Sequence, residues 1–134
     1  QFGTGASFGF SPAVRADGVT PAADPHLPQP LWFKDYAVDV EQADPDSMLA
    51  LYRAALAIRQ ESLTATRDTT AEQVDMGDDV VAYTRAAVGG RVFTSITNFG
   101  NAPVALPDGS VVLASGPLTP EGQLPTDTSA WVIK

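Results

Sequence analysis

The chain carries 16 acidic side chains, and acid–base or nucleophilic chemistry such as glycoside hydrolysis needs two carboxyl groups facing one bond. Some pair can always be proposed from so many. Asp78 and Asp79 are adjacent in what reads as a turn after Gly77, and Asp44 and Asp46 stand where a helix start needs capping; these four read as solvated or capping groups. His26 is the sole histidine, which rules out a histidine cluster for a metal and leaves one candidate base for Ser/His/Asp chemistry. No Gly-x-Ser-x-Gly nucleophile motif accompanies it, so packing or exposure is its reading.

Gly3 to Gly9 resembles a phosphate-binding glycine run only loosely. Neither the preceding strand nor the following helix that gives such a run its meaning is present in the sequence pattern. Trp32 and Trp131 could each stack on a sugar ring, but a Trp in a terminal strand or at a helix approach is more often core. No cofactor and no metal is expected.

Those residues need a frame to hold them. At 134 residues the chain has the size of one domain and can remove roughly 68% of its unfolded surface from water. Hydrophobic residues make up 44% and charged residues 18%, a globular balance rather than a disordered one. The net charge of -8, with no basic stripe, opposes nucleic acid and anionic membranes as partners. The longest mostly apolar run, Met48 to Ile58, is broken by Arg53 and is too short to span a bilayer. With no cysteine, disulfides are excluded and a reducing compartment is permitted; a cytoplasmic location is expected. The opening Gln1 Phe2 Gly3, lacking Met and signal-peptide regions, reads as cut from something longer.

Residues 1 to 43 hold Pro12, Pro21, Pro25, Pro28 and Pro30 without a sustained period and read as loop. The same stretch carries Phe2, Phe8, Phe10, Trp32, Phe33 and Tyr36, which need a covering surface. That surface is expected to lie outside this chain. A helix is expected from about Asp44 to Glu61, with Asp44 as N-cap, Pro45 at the first position and Asp46 at the positive dipole end. Met48, Leu49, Leu51, Tyr52, Ala55, Leu56 and Ile58 occupy far more than the ~100° apolar stripe of a surface helix, so burial on more than one side is expected.

From about Ala71 the pattern turns to short β-rich runs. Val80 to Arg85 and Arg91 to Thr97 alternate and flank Ala86 to Gly90, a hairpin whose Gly89 and Gly90 supply backbone freedom. Val104 to Leu106 and Val111 to Ala114 are expected to flank a second hairpin at Pro107, Asp108 and Gly109. Ser129 to Ile133 forms a last strand bearing Trp131. The fold class is thus an α+β fragment: a long loop and one helix, then an all-β antiparallel sandwich.

Pro25 His26 Leu27 Pro28 Gln29 Pro30, followed by Val38, Gln42, the run Asp44 to Arg53, Ile58 and Arg59, resembles the end of the catalytic barrel in glycoside hydrolase family 13 α-glucosidases. Asn98 to Pro107, Ala114 Ser115 Gly116 Pro117 and Trp131 look like the C-terminal β-domain, domain C, of actinobacterial members. The resemblance implies that residues 1 to 61 are the last loop and eighth helix of a (β/α)8 barrel, 62 to 70 a connection, and 71 to 134 domain C. Of the family's catalytic motifs none occurs: no His-Asp pair and no Asp-Gly-x-Arg run is present, and His26 stands where the family carries Trp. No catalytic residue is carried over.

The resemblance further implies that Phe8 and Phe10 line the acceptor side of the intact enzyme's pocket. The expected partner is the N-terminal catalytic barrel of the same enzyme, with oligosaccharide met only in the intact enzyme, a retaining α-glucosidase of small α-glucosides. This chain alone is expected to be inactive. The rival reading is a free-standing carbohydrate-binding or interaction sandwich in which Trp32 and Trp131 meet sugar.

Overall fold

Asp44 and Pro45 set the first clear feature, though a different one from that expected. The computed structural model describes residues 30–64 and 69–134. Within them the Ser47 amide donates to the Asp44 carbonyl at 3.2 Å, and the Asp46 amide donates to Asp44 Oδ1 at 2.9 Å. Asp at the first and Pro at the second position of a β-turn favour this closure. The helix therefore begins later, as α2 at Met48–Ser62. Ser47, not Asp44, is its cap: Ser47 Oγ accepts the Ala50 amide at 3.2 Å and donates to the Glu41 carbonyl at 2.6 Å.

Upstream of that turn the loop reading is also corrected. Leu31–Tyr36 forms a 3-10 turn and Val38–Ala43 a six-residue helix, α1. Both are too short to display a 3.6-residue hydrophobic period. Trp32 packs edge-on to Phe33 and Tyr36, with ring centroids 4.5 and 5.8 Å apart.

The chain divides into two compact units, Gln1–Arg53 and Ala54–Lys134. The strands of the second are β1 (Glu72–Val74), β2 (Val80–Ala86), β3 (Val92–Asn98), β4 (Ser110–Ala114) and β5 (Thr128–Ile133). They form one antiparallel sheet in the order β1-β2-β3-β5-β4. The β2–β3 hairpin forms as read, closed by the Ala87 amide on the Arg91 carbonyl at 2.8 Å. Gly89 and Gly90 sit at φ 76° and 73°, where a side chain would be strained.

The second expected hairpin does not form. Val104 instead exchanges backbone hydrogen bonds with Leu124, at 3.0 and 2.8 Å, and β4 pairs with β5. Val104 and Leu106 are drawn onto the apolar face of the sheet, where they pack against the cluster of Val80, Ala82, Ile96, Leu124, Ala130 and Val132. The sandwich's second layer is thus the irregular segment 103–124 rather than a ladder of strands. Ile96, Leu124 and Val132 are fully buried there, each stabilising the unit by about 2 kcal/mol.

The opposite face is covered at one end only. Leu63, just beyond α2, is buried with Ala87, Phe93 and Ile133, and Val112 and Trp131 pack against them. Phe93 and Trp131 meet edge to face, centroids 5.2 Å apart, a geometry worth about 1 kcal/mol beyond area burial.

Candidate functional site

Among the described residues the carboxylates show no catalytic pairing. Asp78 and Asp79 are exposed in a turn, where Val80 N–H donates to the Gly77 carbonyl at 3.1 Å and the Asp79 carbonyl accepts the Phe99 amide at 2.8 Å. Asp44 serves the turn before α2. Their roles are local, which suits short acidic side chains beside backbone N–H groups. Among the described residues no group of three His, Cys, Asp or Glu side chains could hold a metal ion. Phe8, Phe10 and His26 lie outside the described residues.

One open groove of about 330 Å³ lies along β1, β2 and the start of β3, lined by Glu72, Thr84, Arg85, Arg91 and neighbours. Arg91 Nε donates to the Val88 carbonyl at 3.0 Å, so that side chain is tied to its own hairpin loop. One carboxylate and two guanidinium groups leave the groove with a small positive excess inside a chain of net charge -8, too little to single out an anionic ligand.

The more informative surface is apolar. Along α2, Met48, Tyr52 and Leu56 recur every four residues, which places them on one side of the helix. All three are exposed, Tyr52 at 63%, and within the helix Ser62 alone is buried. In the preceding segment Trp32 and Tyr36 are exposed at 57% and 65%. A row of large side chains in water at this spacing is more than scattered exposure. No helix among the described residues is long and apolar enough to cross a membrane.

The two tryptophans differ. Trp131 is half-buried on the sheet beside Phe93, whereas Trp32 projects with its aromatic neighbours. Sequence reading favoured core over sugar stacking for both, and counted Trp32 among the aromatics that need a covering surface outside this chain. It assigned the Asn98 side chain no role. That side chain is fully buried, donating to the carbonyls of Ala102 and Leu124 at 2.9 and 3.1 Å and accepting the Gly100 amide at 2.9 Å. An Asn that ends an apolar strand before a Gly was the available signal.

No family model and no curated protein sequence matches the chain. Solved structures do. Trehalulose synthase MutB from Pseudomonas mesoacidophila MX-45, in a monoclinic form, is 25% identical over 90% of this chain with a TM-score of 0.65. A MutB mutant in complex with the substrate sucrose gives 25% identity, the same coverage and a TM-score of 0.64. Crystals of a further MutB mutant soaked with trehalulose cover 84% of the chain at 25% identity and a TM-score of 0.64. The chain spans about a quarter of the length of these structures, 22 to 24%. The likeness fits a C-terminal segment of glycoside hydrolase family 13.

Proposed function

We propose that this chain works as the C-terminal segment of a family 13 glycosidase, completing and bracing a catalytic barrel to which it contributes no catalytic carboxylate. The observation that carries this reading is the exposed row Met48, Tyr52 and Leu56 on α2, whose apolar area needs a partner surface. The likeness to about a quarter of a much longer enzyme supports it. The partner is the N-terminal barrel of the same enzyme, and oligosaccharide binds in the assembled pocket, with Phe8 and Phe10 on its acceptor side. The assembled activity is retaining hydrolysis of small α-glucosides, in which a carboxylate of the barrel attacks the anomeric carbon and a second protonates the leaving oxygen.

The test is reassembly. The 134-residue chain alone is expected to release no p-nitrophenol from p-nitrophenyl α-glucoside. Mixed with a separately produced barrel of the parent enzyme, it is expected to restore turnover. Failure to bind the barrel in solution removes the reading.

A second reading concerns only the chemistry of the assembled enzyme. Likeness to a trehalulose synthase favours transfer of a glucosyl group within sucrose instead of to water. Chromatography of the products formed from sucrose separates the two: free glucose and fructose for the hydrolase, an isomeric disaccharide for the synthase.

A further inference from the structure

The uncovered face of the sheet has an ordered composition. Registers across β2, β3 and β5 place Arg85, Phe93 and Ile133 in one row, Tyr83, Ser95 and Trp131 in the next, and Val81, Thr97 and Ser129 in a third. The first row is the one that packs under Leu63 and Ala87. In the other two rows Trp131 packs in part against that same cluster and is half-buried, as are Ser95, Thr97 and Ser129, while Tyr83 is 45% exposed and Val81 is exposed.

In the middle row two aromatic side chains flank a small serine. Adjacent strands lie ~4.8 Å apart, so Tyr83 and Trp131, two strands apart, stand roughly 10 Å from each other. Beside them Thr97 Oγ1 and Ser129 Oγ share a hydrogen bond of 2.8 Å, and each hydroxyl keeps further hydrogen-bonding capacity. No charged residue occurs in either row, although the chain has 24 charged side chains in total and a net charge of -8.

We infer that this face is a binding platform for a neutral oligosaccharide, with Tyr83 and Trp131 taking the apolar faces of two sugar rings of one chain and the Thr97–Ser129 edge meeting their hydroxyl groups. Alternation of flat apolar rings and hydroxyls is complementary to a sugar, which presents C–H faces and an equatorial fringe of O–H groups. Lack of charge in the two rows disfavours an ionic ligand, and the hydroxyl row disfavours a purely apolar one, whose burial would leave those groups unpaired. Trp131 is already held by Phe93, so one ring of the platform is fixed before binding, which lowers the ordering cost. The inference does not rest on the barrel reading, and it goes beyond an oligosaccharide met only in the assembled pocket.

Native electrophoresis of the 134-residue chain through gels containing maltodextrin, with titration of maltoheptaose and cellohexaose followed by NMR at the Trp131 indole, tests the proposal. Retardation, or a saturable shift of the Trp131 indole with either oligosaccharide, is expected. Tyr83→Leu keeps apolar bulk at an exposed position, so the melting temperature stays as in the unchanged chain while affinity falls about tenfold, the equivalent of one aromatic contact of ~1.4 kcal/mol. Trp32→Phe is expected to leave binding unaltered. No response to either oligosaccharide, equal binding by Tyr83→Leu, or loss of binding in Trp32→Phe overturns the proposal. So does protection of this face by an added barrel with no sugar response, which would make the face part of a protein interface. A chain that binds sugar but fails to reassemble with the barrel sinks only the barrel reading.

Discussion

Asn98 Nδ2 donates to the Leu124 carbonyl at 3.1 Å, across 26 residues of sequence. That bond fastens the irregular layer 103–124 to the sheet at the point where the Val104–Leu124 bridge closes. Its second amide hydrogen reaches the Ala102 carbonyl and its Oδ1 holds the Gly100 amide, so one buried side chain satisfies three backbone groups. Asn98→Ala takes away the Asn98 partner of the Ala102 carbonyl and of the Gly100 amide and leaves the Leu124 carbonyl with the Val104 amide alone, and the expected loss is roughly 3 kcal/mol. Urea denaturation followed by near-UV signal checks it; a loss below about 1 kcal/mol would show that the clamp is dispensable.

Asn98→Asp sharpens the same point. An ionised carboxylate would face two carbonyl oxygens, with the Asp79 side chain also beside Gly100. The folded state then favours the protonated acid, which can donate, so its folded pKa stands above the unfolded value. More protons are bound when folded, and stability rises as pH falls through that raised value towards the ordinary carboxyl range. Relative to the unchanged chain, the variant is expected to be least stable at pH 7 and to recover part of the deficit at pH 5. A pH-independent deficit in paired melting curves would contradict the assignment.

Gly109 and Gly122 offer a matched comparison of backbone strain. Both have left-handed φ, 143° and 77°. A Cβ on Gly109 would lie 2.7 Å from the Ile133 carbonyl oxygen and 2.8 Å from Val132 Cγ1, whereas one on Gly122 meets nothing within 4 Å. Gly122→Ala is expected to cost about 1 kcal/mol, the conformational term alone. Gly109→Ala adds overlap with backbone that cannot move aside and is expected to cost more than about 2 kcal/mol. Equal melting temperatures for the two variants would show that β5 shifts freely beneath the turn.

How far the sequence spoke depends on whether a signal had one physical meaning. Alternation over Val80 to Thr97 with Gly89 and Gly90 between admits one solution, and the β2–β3 hairpin is there. Asp44, Pro45 and Asp46 satisfy a β-turn as well as a helix start, and the turn wins because Ser47 supplies a cap at the next residue. Pro107, Asp108 and Gly109 look like a hairpin loop, yet Gly109 is needed for close approach to the Ile133 carbonyl, and the apolar Val104 and Leu106 go to the core instead of to β4. The Asn98 clamp and the row of Tyr83, Ser95 and Trp131 depend on register between distant strands, which no local pattern encodes. Phe8 and Phe10 lie in the part of the chain outside the described residues.

Capping of α2 separates Ser47 from Asp44 experimentally. Ser47→Ala removes the acceptor of the Ala50 amide and the donor to the Glu41 carbonyl, with an expected cost to the helix of ~1 kcal/mol. Asp44→Ala removes only the Asx contact to Asp46. Circular dichroism at 222 nm is expected to fall more for Ser47→Ala than for Asp44→Ala. The reverse order would restore Asp44 as the cap.

The exposed row on α2 should reveal itself by what its loss does not do. Met48, Tyr52 and Leu56 are mostly in water in this chain, so Met48→Gln, Tyr52→Gln and Leu56→Gln together remove little buried area. Each such surface change lies within about 0.5 kcal/mol, and Gln has a helix propensity close to that of Met and Leu. The triple variant is therefore expected to melt near the temperature of the unchanged chain. Binding of ANS, which reports accessible apolar surface, should fall, and reassembly with the barrel should be lost. A large drop in melting temperature would instead mean that the row is packed within this chain, and retained reassembly would mean that the barrel docks on another face.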